Sequence, residues 1–243
     1  MSRYDGPGPE ERAEAARASC WPAIVRRARL RPAPVEELGC GKRGCAYSVH
    51  DLRGRERVLK LTRDDSEVRF AAWLRELGGA RPAMLPEIDG AWVLECAPDE
   101  QYAIVREYLV DFEEHHDDVR IADAVGLYVS AEFNGGIREL NRVEAADVRH
   151  NLDAVRTASD PATRRNLRNA EQFMRWADAQ RVIIADVYNH DANWGTRPGT
   201  DELVVRDLGF AESSGSPSAP VGPIARLLGG APRGVVRLRG LRS

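Results

Sequence analysis

The sequence has no apolar run approaching the roughly 20 residues that a membrane-spanning helix needs. Its opening stretch, MSRYDGPGPEERAEAAR, carries no apolar core of the kind a secretory signal requires, so no signal peptide is expected. Cysteine is scarce. The four residues, Cys20, Cys40, Cys45 and Cys96, form no CxxC pair and are too few for a disulfide framework, which makes a reduced cytoplasm the expected setting. Charge of one sign is not in excess either: 35 Lys and Arg against 38 Asp and Glu leave a formal net charge of −3. That balance offers no bulk attraction to nucleic acid or to a membrane surface. There is no clear internal repeat, and His190 has no second histidine at metal-ligand spacing. What is present is an ordinary globular composition, with 43% hydrophobic and 30% charged residues in a chain of 243. That length can bury one domain or two small lobes around a shared cleft.

Periodicity divides the chain into a β-rich half and a helical half. PEERAEAARASCWPAIVRRARL is rich in helix formers, but Pro22 is expected to break or end that helix because it removes a donor and crowds the preceding turn. VEELG, CAYSVHD and RERVLKLT read as strands separated by glycine-containing turns. DDSEVRFAAWLRELGG reads as a helix capped by Ser66 or Asp65, with Val68, Ala71, Ala72 and Leu74 at helical spacing and Gly78-Gly79 at its end. AWVLE and YAIVREYLV read as two more strands. From about residue 119 the pattern turns helical, notably in VRIADAVGLYVSAEF and RNLRNAEQFMRWADAQ. RVIIADV and ELVVRDLG are two late β runs, and the Ser-, Gly- and Pro-rich remainder reads as a flexible basic tail. Strands around one helix, then helices, then a late β pair predict an α+β protein of two lobes rather than a doubly wound sheet.

Several stretches carry chemistry. ELGCGKRGCAY places Gly39, Gly41 and Gly44 as G-x-G-x-x-G between two strands. Read alone it is a glycine-rich hairpin or a loop whose amides approach a phosphate. Lys60 lies in an otherwise apolar strand, where it either faces solvent at an edge or reaches an anion. Glu67 follows seven positions later, as a helix-start acid or as the partner of Lys60. In IVREYL, Glu107 and Leu109 mark either a plain strand end or a hinge whose backbone meets an adenine edge. ADVYNHDANWG concentrates Asp186, His190, Asp191 and Asn193 behind a β run, and VVRDLGF sets Asp207 before Leu208-Gly209. Asp207 and Asn193 are turn residues or the oxygen ligands of a divalent cation such as Mg²⁺.

In this order, Gly39-x-Gly41-x-x-Gly44, Lys60, Glu67, the Glu107 hinge, Asp186 with Asn193, and Asp207-Leu208-Gly209 resemble the protein-kinase-like superfamily. The likeness is nearest to its small, divergent bacterial and phage members, with the aminoglycoside phosphotransferases more distant. It covers roughly residues 34 to 212. The resemblance implies a compact bilobal fold: an N-terminal extension over 1–33, a β-rich N-lobe over 34–110, a reduced helical C-lobe over 111–212 and a tail over 213–243. It implies ATP and Mg²⁺ as cofactors. The glycine loop would cover the phosphates, Lys60 would contact them while paired with Glu67, and Glu107 and Leu109 would meet the adenine. Asp186 would accept or orient the acceptor hydroxyl, with Asp191 as a further carboxylate, and Asn193 and Asp207 would hold the metal.

The same comparison marks departures. The family sets its asparagine five positions after the catalytic aspartate, whereas here the separation is 193 − 186 = 7. Either the loop holds two extra residues, or Tyr188 stands in the aspartate's place and the chain is a nucleotide-binding pseudokinase that regulates a partner. Ala185 replaces the arginine common before the aspartate, Arg106 precedes the hinge, and no Ala-Pro-Glu follows Asp207. The short C-terminal half leaves little surface for an enclosed small-molecule pocket, so a protein hydroxyl is the expected acceptor. DFEEHHDD, residues 111–118, reads as a solvated acidic loop, and the arginines of the tail read as a basic end with no nucleic-acid role.

Overall fold

The computed structural model describes residues 8–32, 36–97, 101–112, 116–135, 137–188, 193–209, 211–213 and 236–238. The chain is mixed α and β, with five α-helices and a mainly antiparallel main sheet among these residues. It divides into two compact units. One comprises Met1–Glu76, Glu87–Tyr108 and Pro232–Ser243; the other comprises Leu77–Pro86 and Leu109–Ala231. No helix among the described residues is long and apolar enough to cross a membrane.

The first unit is built on β1 (Glu36–Gly41), β2 (Gly44–His50), β3 (Glu56–Thr62), β4 (Ile88–Leu94) and β5 (Tyr102–Glu107). Their order is β1-β2-β3-β5-β4, with the parallel strand Val236–Leu238 (β13 in chain order) added beyond β4. Those three residues fall within the segment read from sequence as a flexible tail. Side chains of a strand alternate between faces, and here one face belongs to α1 (Pro9–Ala28). Ala13, Ala16, Cys20 and Ile24 of α1 pack with Cys45, Tyr47, Val49, Leu59, Leu61, Trp92, Leu94, Ala103 and Val105. The expected break at Pro22 does not occur, because α1 runs through it. Burial of residues on both sides of Pro22, Cys20 and Ala23 among them, outweighs the bond and the crowding that proline costs.

All four cysteines are paired, Cys20 with Cys96 and Cys40 with Cys45. This corrects the reading that four cysteines are too few for a disulfide framework, and it removes the argument from cysteine usage for a reduced cytoplasm. Sequence spacing was a poor guide, because the first pair is brought together by the packing of α1 on the sheet and the second by strand register.

α2 (Asp65–Leu77) follows β3. Its cap is Asp64, not Ser66 or Asp65: Asp64 Oδ1 accepts bonds from the Ser66 amide at 3.0 Å, the Glu67 amide at 3.3 Å and the Ser66 hydroxyl at 2.6 Å.

In the second unit α3 (His116–Ser130), α4 (Arg142–Val155) and α5 (Pro161–Gln180) pack on one another, and Ile121, Val125, Val148, Leu152, Phe173 and Ala177 are buried. α4 was not singled out from the sequence, although Asn141 and Glu144 form a full capping box in front of it. Short strands complete the unit: β6 (Val110–Asp111), β7 (Phe133–Asn134), β8 (Ile137–Arg138), β9 (Val182–Ile184), β10 (Trp194–Thr196), β11 (Leu203–Val205) and β12 (Ala211–Ser213). β11, β10 and β6 form one small sheet, and β12 pairs with β9.

Arg138 ties the pieces of this unit together. It donates to Asp178 at 2.7 Å, to the carbonyls of Tyr128 and Ala131 at 3.0 Å each, and to that of Val182 at 2.8 Å. Its guanidinium also lies 4.4 Å from the centre of the Phe133 ring. Burial, then the bond to Asp178 and its charge, push the Tyr128 hydroxyl up to about 12.

Candidate functional site

Lys60 is on β3, between Leu59 and Leu61. Those two leucines face α1, so strand alternation turns Lys60 to the opposite face of the sheet. There its ammonium donates to Glu67 Oε1 of α2 at 2.8 Å. The side chains are 16% and 4% exposed, so this is a largely desolvated pair and not a surface contact. The expected pairing is therefore present. The helix supplies the acid because the Asp64 cap fixes the first turn in which Glu67 sits.

The glycine segment is a tight hairpin in which Lys42 and Arg43 form the turn between paired Gly41 and Gly44. Two of its glycines have reasons inside the fold. Gly39 has φ +152°, which a side chain rarely tolerates, and a Cβ on Gly44 would lie 1.9 Å from the Leu61 carbonyl oxygen. Gly41 differs, since a Cβ there would meet no atom within 4 Å. The turn is tied to the start of α2: the Arg63 amide donates to the Arg43 carbonyl at 2.9 Å, and Arg43 reaches Asp64 Oδ2 at 2.5 Å. Burial acts to raise the Asp64 pKa, but the bonds from Ser66, Arg43 and the Glu67 amide outweigh it and hold the carboxyl below its ordinary value.

Glu107, at the end of β5, is buried and engaged with its neighbour strand. Its amide donates to the Glu87 carbonyl at 2.9 Å, and its carboxylate accepts from the Glu87 amide at 2.8 Å. Arg57, across from Glu107 in the β3–β5 pairing, binds Asp89 at 2.8 Å and Glu87 at 3.2 Å. Burial and the nearby Glu87 raise the Asp89 pKa despite the opposing pull of Arg57. Leu109 belongs to the other unit and is 5% exposed.

In the second unit β9 ends at Ile184, and Asp186 lies in the 3₁₀ turn Ala185–Val187 that follows it. The description of Asp186 is limited to its backbone, and Asp191 lies outside the described residues, as do Asn189, His190 and Ala192. The ends of this loop are joined: buried Trp194 donates its indole N–H to the Val187 carbonyl at 3.3 Å. Gly126 of α3 lets the loop lie close, since a Cβ there would sit 3.0 Å from the Val187 oxygen and 3.1 Å from Tyr188 Cα. Neither Trp194 nor Gly126 was singled out from the sequence. A glycine inside an otherwise strong helix was the available signal, because it costs helix stability unless something packs against it.

Asn193 and Asp207 are neighbours through the β10–β11 ladder. Trp194 pairs with Val205, and the Asn193 carbonyl accepts from the Arg206 amide at 2.6 Å and the Asp207 amide at 3.4 Å. Asp207 Oδ1 in turn accepts from the Gly209 amide at 2.9 Å, closing an Asx turn that orients the carboxylate. A carboxylate and an amide oxygen on adjacent strand ends suit a hard divalent cation such as Mg²⁺. Among the described residues, no group of three or more His, Cys, Asp and Glu side chains is gathered as a metal cage. A site of this composition would therefore leave coordination positions to water and phosphate.

No protein-family model matches the chain, and no curated protein matches it.

Proposed function

We propose that the chain is a kinase-like, ATP- and Mg²⁺-dependent phosphotransferase that acts on a hydroxyl group, of a protein rather than a small molecule. The observation that carries this reading is the Lys60–Glu67 pair, a lysine set in a β-sheet and held at 2.8 Å by a helix glutamate. A cation so placed has lost most of its water, and it serves best where an anion is to be neutralised. Gly41 supports the reading, since its missing side chain leaves room for a close backbone approach to phosphate.

In this proposal Lys60 contacts the nucleotide phosphates, and the Glu107 and Leu109 backbone meets the adenine. Asp186 takes the proton of the acceptor hydroxyl as its oxygen attacks the γ-phosphorus and the bond to the bridging oxygen breaks. Asn193 and Asp207 hold Mg²⁺, which when bound screens the charge of the transferred group. Such chemistry needs little beyond positioning and charge neutralisation.

A second reading is a nucleotide-binding pseudokinase that regulates a partner. One observation favours it: Tyr188, five residues before Asn193, comes directly after the 3₁₀ turn and is 36% exposed. Incubation with Mg²⁺ and γ-labelled ATP, wild type against Asp207→Ala, separates the two. Label transferred by wild type alone supports the enzyme, Mg²⁺-dependent binding without transfer supports the pseudokinase, and no binding overturns both.

A further inference from the structure

We propose that the Cys40–Cys45 pair is a reversible redox modification site, opened by a dithiol reductant, and that its opening releases the β1 side of the glycine hairpin. Cys40 and Cys45 are register partners across β1 and β2, with Cα atoms 4.1 Å apart. Their bond lies one residue pair away from the Gly41–Gly44 pair that flanks the turn. Among the described residues β1 is an outer strand of the sheet, paired only with β2, and its burial pattern is exposed at every position except partly buried Cys40. A register shift and the φ of +152° at Gly39 interrupt the ladder just before Cys40. Beyond that shift the ladder resumes over only the Gly39–Ala46, Cys40–Cys45 and Gly41–Gly44 pairs, so the disulfide reinforces a short pairing at the end of β1.

In burial the two pairs are alike, each joining a buried cysteine, Cys20 or Cys45, to a partly buried one, Cys96 or Cys40; they differ in what they join. Cys20 is fully buried within α1, at the centre of the core under the sheet, and its partner is 76 positions away. Opening Cys40–Cys45, five positions apart, disturbs only the hairpin. Its turn also carries Lys42 and Arg43, cations that favour the thiolate at neighbouring cysteines. When the bond opens, the Arg43–Asp64 pair and the Arg63–Arg43 backbone bond still anchor the turn and β2. The freed element is β1.

The exchange balances as an ordinary dithiol reaction. A reductant thiolate attacks Sγ of Cys40, the partly buried residue of the pair, and the S–S bond breaks with Cys45 leaving as thiolate and taking a proton. The second reductant thiol then displaces Cys40 from the mixed disulfide. Two cysteine thiols and one oxidised reductant result, with two electrons passed to the protein. The functional consequence rests on the reading of the hairpin as a phosphate cover: the oxidised hairpin is preorganised, and the reduced one must be ordered again on binding.

The test titrates the full chain with dithiothreitol redox buffers. Alkylation and peptide mass spectrometry follow each pair, amide exchange follows residues 36–50, and ATP binding is measured at each poise. We expect Cys40–Cys45 to open first, amide exchange to rise in β1 and not in α1, and ATP affinity to fall about tenfold, the scale of reordering a residue or two. Cys40→Ser with Cys45→Ser should hold the reduced values at every poise, and Cys20→Ser with Cys96→Ser should keep the response. Earlier opening of Cys20–Cys96, or unchanged exchange in β1 after reduction, overturns the proposal. If exchange in β1 rises but neither form binds ATP, the redox site stands and the nucleotide reading fails. Equal ATP affinity in both redox states removes the functional half.

Discussion

A double-mutant cycle on Lys60 and Glu67 tests the central pair most directly. At 2.8 Å and an effective dielectric of about 20, the direct attraction is about 6 kcal/mol. Desolvation of both groups cancels most of it, and the 16% exposure of Lys60 weakens it further. A net coupling of about 1–3 kcal/mol remains. Lys60→Met alone should destabilise by about 2–4 kcal/mol, because the Glu67 carboxylate, 4% exposed, then loses this cation. Glu67→Gln alone should lose less, since the lysine stem reaches solvent more easily. Urea denaturation of wild type, both single variants and the double variant measures the coupling. The same four proteins assayed with γ-labelled ATP separate stability from chemistry. Lys60→Met should lower transfer by on the order of a hundredfold or more even where it remains folded. A coupling below about 0.5 kcal/mol would show that the contact is incidental. Undiminished transfer by folded Lys60→Met would refute the role assigned to the ammonium.

Asp186→Asn should abolish phosphoryl transfer and leave ATP binding nearly intact; wild-type turnover in that variant would move the role to Asp191. Replacing Arg138 by Ala removes its bonds to three backbone carbonyls and to Asp178, so unfolding in urea should show a loss of about 3–5 kcal/mol, with Arg138→Lys recovering part of it. Cys20→Ser with Cys96→Ser opens a closure over 76 positions, worth up to about 4.5 kcal/mol in the chain-entropy limit, against about 2 for the closure over five at Cys40–Cys45. Asp64 has its folded pKa held below 3.8, so its contribution is fully present above that value and is lost as pH falls through the folded pKa. Asp64→Asn should therefore flatten the acid limb of the stability–pH curve, and an unchanged limb would show that Asp64 contributes nothing to it.

Local signals in the sequence sufficed where a residue's neighbours in the chain decide its state. The strand alternation around Lys60, the helix spacing of Val68, Ala71, Ala72 and Leu74, and the Gly78-Gly79 stop all depend on a few adjacent positions. The Lys60–Glu67 contact was legible for a related reason. A strand and the helix that follows it leave few ways to place residues seven apart in the chain. Tertiary structure decided the rest. Pro22 stays inside α1 because distant sheet residues bury the helix around it, and no local propensity contains that information. Asp64 caps α2 through amides two and three positions on, but its other carboxylate oxygen is held by Arg43, 21 positions away. The cysteine pairs depend on strand register in one case and on a helix docking 76 positions away in the other. Asn193 and Asp207 became neighbours only through the β10–β11 ladder, and Gly126 and Trp194 acquired their roles only once α3 and β10 met the Val187 carbonyl. Side-chain chemistry is written in the sequence, but which groups share a site depends on contacts between residues far apart in it, and those form only in the packed chain.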